Sequence, residues 1–394
     1  MNFLTDLDMA LSSLVIFREL LSDPVFINLS ALLSAENENE KARIGICAKF
    51  AHSVFSCGEN LTDVIWSKIS RDENFYLLKR AASLPVSDSL ERQLDRELEI
   101  LMAAASLKTD EAKKLLCCNA DLPQWQNKTI DFKTEYRQKM DNINVNGYGI
   151  FAESLMFLYE DGKFVPVTDC DKIRLSELIG YERERKAVID NTVALIDGKH
   201  AANALLYGDA GTGKSSTVKA VVNEYSDRGL RLVEVKKSRM LEIPRIVREL
   251  SKNPLKFILF IDDLSFSQTN EEIGALKAVL EGSAAARPKN IAIYATSNRR
   301  HLIKESFSER AGDDVHLNET LQEQSSLSAR FGLAINFSKP NMNEYLGIVT
   351  ALAEQYGVKN TDRLEKIAEG YALERGGRSG RVARQLIEHL KSTE

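Results

Sequence analysis

No apolar run in this chain approaches the roughly 20 residues that span a bilayer. The N-terminus, Met1-Asn-Phe-Leu-Thr-Asp-Leu-Asp8, carries acids where a secretory leader carries base, so a soluble intracellular protein with no membrane partner is expected. A disulfide framework is missing as well. Five cysteines in 394 residues, unevenly spaced and including the adjacent Cys117-Cys118, cannot staple a chain of this length and point to a reducing cytoplasm. Cys47, His52 and Cys57 recur every five residues, which swings each side chain off the helical face of the one before, and the usual spacing of zinc ligands is absent. Nor is there an excess of basic charge. A net charge of -5 excludes a surface built throughout to hold nucleic acid, while leaving room for a local basic patch. What remains is ordinary globular composition, 44% hydrophobic and 28% charged, in a chain long enough for two or three cores.

Between Leu4 and about Lys139 apolar residues recur at helical spacing, as in Leu90, Leu94, Leu98, Leu101 and Met102. This predicts a mainly helical N-terminal domain over 1–140, broken by Pro24, Pro85 and Pro123, with Glu36-Asn-Glu-Asn-Glu40 as a solvated loop. Residues 141–170 read as a linker with a β-hairpin, strands at Ile150–Tyr159 and Lys163–Val167 flanking the turn Glu160-Asp-Gly162. Strands and helices then alternate: helix 181–197, strand 203–207, helix 214–226, strand 230–235, helix 242–251, strand 256–262, helix 270–281 and strand 290–295. That order predicts an α/β core over 171–340, a parallel sheet sandwiched by helices with its ligand at the carboxyl ends of the strands. A small helical lid is expected over 341–394.

The chemistry concentrates at Gly208-Asp209-Ala210-Gly211-Thr212-Gly213-Lys214-Ser215, a G-x-x-x-x-G-K-S string between a short apolar strand and an amphipathic helix that continues through Ser216. Its glycines allow consecutive N–H groups to turn inward around a phosphate, Lys214 supplies a point charge, and Ser215 in the first helical turn offers its hydroxyl to Mg²⁺. An ordinary glycine-rich turn is the bland alternative. Downstream, the apolar strand Phe257–Ile261 ends in Asp262 and Asp263, where Asp262 would hold the Mg²⁺ shell and Asp263 would orient or deprotonate the attacking water. Aspartate there is one methylene shorter than the glutamate of many hydrolytic P-loop proteins, so turnover is expected to be slow or to depend on assembly. A third strand, Ile291–Asn298, ends in polar groups: Asn298 is the candidate for contacting the γ-phosphate, with Thr296 as the alternative. Arg330, in Ser328-Ala-Arg-Phe-Gly332, suits an arginine finger reaching a neighbouring subunit, with Arg310 second and a surface ion pair as the competing explanation. In the lid, Arg378, Arg381 and Arg384 share one helical face, and Arg381 is the candidate for phosphate.

Taken together, these motifs resemble the AAA+ division of P-loop ATPases in order and spacing. The resemblance makes Asn298 the first sensor, Arg330 the finger and Arg381 the second sensor, and it places Gly180 and Tyr181, in Leu178-Ile-Gly-Tyr-Glu182, near adenine. Ser328–Leu333 and Gly380-Arg-Val-Ala383 look like elements of the Holliday-junction branch-migration motor, and Ile261-Asp-Asp-Leu264 like replication initiators. More narrowly, Asp262-Asp-Leu-Ser-Phe266, Leu276–Gly282, Ala295–Leu302 and Leu327–Leu333 resemble a bacterial family known as domain of unknown function 815. That similarity runs from about Phe151 to the C-terminus; the first 140 or so residues carry none. It implies an ATP-binding AAA+ fold without an established substrate.

Three activities compete at this stage. The first is a homo-oligomeric ATPase that hydrolyses Mg-ATP to remodel a macromolecule chosen by the helical N-terminal region. The second is an ATP-dependent switch or loader that recruits protein or DNA and hydrolyses slowly. Arg299, Arg300 and His301 form a basic cluster for DNA in that reading, or pair simply with Glu305 or Glu309. A small-molecule phosphotransferase is third, lacking any recognisable acceptor pocket.

Overall fold

The computed structural model describes residues 3–115, 123–264, 274, 276, 277, 280, 288–298, 330–359 and 363–393. Its contacts divide the chain into two compact units, Met1–Gly149 and Ile150–Glu394.

The first unit is built of helices, among them Pro24–Leu33, Glu40–Phe55, Leu61–Arg71, Phe75–Ala81, Asp88–Ala105 and Phe132–Asp141. Their starts are written in the sequence. Asn39, Asn60, Asn74 and Ser87 each accept a backbone N–H from the first turn that follows, and Pro24 sits at the first helical position behind the Asp23 cap, where its missing N–H costs nothing. Leu94, Leu98 and Leu101 are fully buried. Glu97, on the same helix, is fully buried too. Its carboxylate accepts the N–H groups of Val15 at 2.9 Å, Ile16 at 3.0 Å and Phe17 at 3.0 Å, and the Gln93 amide at 2.7 Å. Cys47 is buried while His52 and Cys57 are exposed, and no group of three or more potential ligands able to hold a metal occurs among the described residues.

The second unit is a seven-stranded sheet, β1 (Met156–Glu160), β2 (Lys163–Pro166), β3 (Ala204–Gly208), β4 (Leu230–Val235), β5 (Lys256–Ile261), β6 (Ile291–Ser297) and β7 (Leu333–Phe337), in the order β2-β1-β4-β5-β6-β3-β7. All pairings are parallel except β1 with β2. The central strands are apolar on both faces, as a covered parallel sheet demands. Phe257, Leu259 and Ile261 pack with Ile243, Ile246 and Leu250 of the helix Ile243–Leu250. Ile258 and Phe260 face Val188 and Leu195 of Glu182–Ile196 and Val218, Val221 and Val222 of Lys214–Tyr225. The lid helices Met342–Tyr356, Leu364–Glu374 and Gly380–Thr393 close around Tyr345, Val349, Leu352, Ala368, Leu386 and Ile387. Among the described residues no helix is long and apolar enough to cross a membrane.

Three sequence expectations need correction. Ile150–Glu153 is a helical turn rather than the start of a strand, and Phe151 packs edge-on against Phe157, Phe164 and Phe257. The hairpin is not a linker ahead of the core: β1 pairs with β4, which makes the hairpin the sheet's outer edge. A further strand, β7, follows Arg330 and pairs with β3; only Ile335 and Phe337 of its five residues are buried, so its alternation is weak. The expected helix over 270–281 lies largely outside the described residues.

Candidate functional site

The order of the strands decides what meets at their carboxyl ends. Because β6 lies between β5 and β3, the loop after β3, the acids after β5 and the polar end of β6 emerge side by side. Gly208, Gly211 and Gly213 have φ of +128°, +78° and +89°, a region that disfavours side chains. What each glycine avoids differs from the simple expectation of room for phosphate. A Cβ on Gly208 would lie 2.3 Å from the Phe337 carbonyl oxygen, so this residue lets β3 and β7 approach. A Cβ on Gly211 would lie 3.0 Å from Ser379 Oγ and 3.2 Å from Arg381 Cβ, so this one admits the lid. Gly213 faces open space and is needed for its backbone turn alone. Asp209 anchors the loop: its N–H donates to the Phe337 carbonyl at 3.0 Å and its carboxylate accepts the Lys339 N–H at 2.8 Å.

Below the loop the charged groups bond to one another. Ser215 Oγ donates to Asp262 Oδ1 at 2.6 Å, and Thr296 Oγ1 donates to the same oxygen at 2.5 Å. The Asp263 N–H donates to Thr296 Oγ1 at 2.8 Å, which holds Asp263 in a left-handed conformation at φ +51°. Asn298 spans the cluster, its Nδ2 donating to Asp263 Oδ1 at 3.0 Å while its Oδ1 accepts from Lys214 Nζ at 3.1 Å. Lys214 also donates to the carbonyls of Gly208 at 3.0 Å and Asp209 at 2.7 Å. Burial pushes the Lys214 ammonium below the ordinary lysine range, against the opposing pull of Asp209, Asp262 and Asp263. Lys237, just past β4, reaches Asp263 Oδ2 at 3.2 Å.

Above the loop lies a cavity of about 400 Å³. Ala210, Thr212, Ser216 and the rest of the phosphate-loop string from Gly211 onward form its floor, Gly180, Tyr181, Ile348 and Leu352 an apolar wall, and Arg381 and Arg384 its lid side. Gly180 and Tyr181 both have positive φ, +77° and +61°, and launch the helix Glu182–Ile196. The Tyr181 ring lies 5.4 Å from that of Phe337, and its hydroxyl donates to the Ser338 carbonyl at 2.8 Å. Burial raises its pKa well above that of free tyrosine. The lid touches the loop through main chain, the Arg381 N–H donating to the Gly211 carbonyl at 3.0 Å.

Of the candidate residues, Ala210 to Ser216 of the loop, Asp262, Asp263, Asn298, Gly180, Tyr181 and Arg381 therefore border one cavity, while Gly208 and Asp209 lie behind it against β7. Arg330 does not: it precedes the first residue of β7, and that strand pairs Leu333 with Ala204 and Phe337 with Gly208. It lies toward the end of the sheet opposite the loop. Arg299, Arg300, His301, Glu305, Glu309 and Arg310 lie outside the described residues. Sequence reasoning missed Lys237, one lysine among many at a strand end, and gave Thr296 and Arg384 minor parts; the amphipathic period of the last helix puts Arg384 one turn beyond Arg381 and was the available signal.

Comparison with known proteins identifies a family. A family model described as "Protein of unknown function (DUF815)" matches residues 152–394. The replication factor C large subunit of Aeropyrum pernix is 27% identical over 116 residues, covering 27% of this chain and 24% of its own length. That of Staphylothermus marinus is 30% identical over 115 residues, covering 27% and 26%. This chain thus spans about a quarter of the length of the curated relatives it matches. Among solved structures, the Thermotoga maritima RuvB Holliday junction branch migration motor aligns at TM-score 0.37 and 20% identity, over 55% of this chain and 63% of that one. C. elegans PCH-2 aligns at TM-score 0.38 and 18% identity, over 56% and 66%. The family match extends over more than half of the sequence, so the chain belongs to the DUF815 family, and its second unit is an AAA+ P-loop domain of the α/β class.

Proposed function

We propose that the protein binds Mg-ATP in the cavity above residues 208–216 and hydrolyses it as a homo-oligomer in the cytoplasm, to remodel a protein or DNA partner selected by the helical first unit. The observation that carries this reading is the continuous hydrogen-bonded chain Ser215–Asp262–Thr296–Asp263–Asn298–Lys214. It gathers two hydroxyls, two carboxylates, an amide and an ammonium at the mouth of a helix N-terminus. The donor set suits Mg²⁺, which binds through one or two protein oxygens and completes its shell with water and phosphate. Ser215 and Asp262 would hold the ion, and glycine-loop N–H groups with Lys214 would hold the phosphates. When bound, Mg-ATP supplies a polarised γ-phosphorus for attack by water.

The chain's own groups then divide the work. Asp263 accepts a proton at its carboxylate, and Asn298 and Lys237 orient that carboxylate from opposite oxygens. Arg381 and Arg384 cover the cavity from the lid. Arg330 serves the neighbouring subunit: with about 13 Å of β7 between Leu333 and Phe337, it is directed away from its own loop. A slow ATP-dependent switch is the second reading, favoured by the short Asp263 side chain already engaged at both oxygens.

Steady-state ATP turnover across protein concentration, with and without DNA, tests the proposal. Specific activity should rise with concentration. Arg330→Ala should bind ATP normally, lose about 1,000-fold in turnover, and recover part of it when mixed with Lys214→Ala. No recovery in the mixture defeats the intersubunit role, and tight binding without turnover at any concentration selects the switch.

A further inference from the structure

A second cavity, of about 540 Å³, is walled by residues 171–177 on one side and by the lid on the other. It shares Ile173, Glu177 and Arg384 with the nucleotide cavity, so the two adjoin. Its charges are unequally engaged. Of the two acids, Asp171 accepts the Ile173 N–H at 3.2 Å and Glu177 accepts the Arg174 N–H at 2.8 Å. Of the three cations, Lys172 and Arg384 form no ion pair among the described residues, and Lys391 rests over the Tyr356 ring at 5.5 Å. Other surface cations of this unit do find carboxylates, among them Arg228 with Asp197 at 2.7 Å and Arg239 with Asp161 at 2.6 Å. One wall is also held in place, because Asn223, on the helix that begins at the phosphate loop, donates to the carbonyls of Asp171 at 2.7 Å and Ile173 at 2.9 Å.

With both carboxylates of the lining accepting main-chain N–H groups, the arginine fork and two lysines supply what a phosphate group takes, paired donors from the planar guanidinium and charge from the ammonium groups. We propose that this cavity is an annex of the nucleotide site that binds a phosphate group beyond the 5′ chain. That phosphate is borne on the ribose of the bound nucleotide or belongs to a separate oligophosphate. The ribose-borne case rests on the ATP-binding reading above; the separate case does not.

Isothermal titration at low ionic strength, where such contacts are least screened, distinguishes the sources. The probes are ADP, ADP carrying an added 3′-phosphate, and inorganic tripolyphosphate. The proteins are the full chain, Lys214→Ala, Lys172→Gln/Lys391→Gln, and the triple variant; Lys172 and Lys391 lie outside the nucleotide cavity. A ribose-borne phosphate predicts that the 3′-phosphate tightens binding about tenfold in the full chain and that the gain disappears in the double variant while ADP binding is unchanged. A separate oligophosphate predicts that Lys214→Ala keeps tripolyphosphate binding and the triple variant loses it. If ADP itself fails to bind the full chain, the nucleotide reading falls and the tripolyphosphate arm still decides the annex. Absence of both the gain and the retained binding, or their persistence after Lys172 and Lys391 are changed, overturns the proposal.

Discussion

Two polar clusters, one buried in the first unit and one half-exposed in the second, solve the same problem in opposite ways. Glu97 in the first unit meets main-chain N–H groups of Val15, Ile16 and Phe17, donors fixed by the fold itself. The Lys214, Asp262 and Asp263 cluster in the second is satisfied mainly by side chains and by loop carbonyls beside an open cavity. A carboxylate held by backbone cannot exchange partners without unfolding its surroundings. Carboxylates held by side chains, Asp262 by a serine and a threonine and Asp263 by an amide, can. The contrast separates a polar group retained for architecture from polar groups arranged to accept a ligand.

Substitutions sharpen this contrast, and the largest effect is expected at Lys214. Lys214→Ala should abolish nucleotide binding by titration calorimetry while leaving the melting temperature of the first unit unchanged; retained micromolar affinity refutes the cradle. Glu97→Ala should do the reverse. It leaves three main-chain N–H groups, two of them buried, without their acceptor and should destabilise the first unit by about 3 kcal/mol in chemical denaturation, with ATP affinity as in the parent. Equal stability of that variant would show that the carboxylate is dispensable to the fold. Asp263→Asn should preserve binding and lower turnover by about 100-fold, the range of a positioned base; an unchanged rate moves proton transfer elsewhere. The smallest effect belongs to Tyr181→Phe, which removes the hydrogen bond to Ser338 and should cost about 1 kcal/mol in stability of the second unit, readable as a shift in its denaturation midpoint.

The same contrast marks what could be read from the chain alone. Caps, periodicity and the glycine spacing are local, so the helix Asp88–Ala105 and the loop at 208–215 were visible without any tertiary knowledge. Residues at strand ends were visible as types, since Asp262, Thr296 and Asn298 follow apolar runs. Their partners were not. That Asn298 lies between Lys214 and Asp263 depends on β6 sitting between β3 and β5, an order that sequence adjacency does not encode. The part of Gly208 was hidden for the same reason, because its neighbour Phe337 belongs to an edge strand with only two buried side chains to announce it. Lys237 is an ordinary lysine until folding shows that it meets Asp263, and the annex cations are ordinary residues until folding shows that they share a cavity.

The joint between the lid and the phosphate loop is a main-chain bond, from the Arg381 N–H to the Gly211 carbonyl, made possible by the missing side chain at position 211. This bond does not use the Arg381 side chain, which is left to contribute, with Arg384, to the charge that the lid turns toward the cavity. Selection or a protein engineer can retune the electrostatics of this position, or exchange whole lids between relatives, without redesigning the hinge, provided position 211 stays glycine.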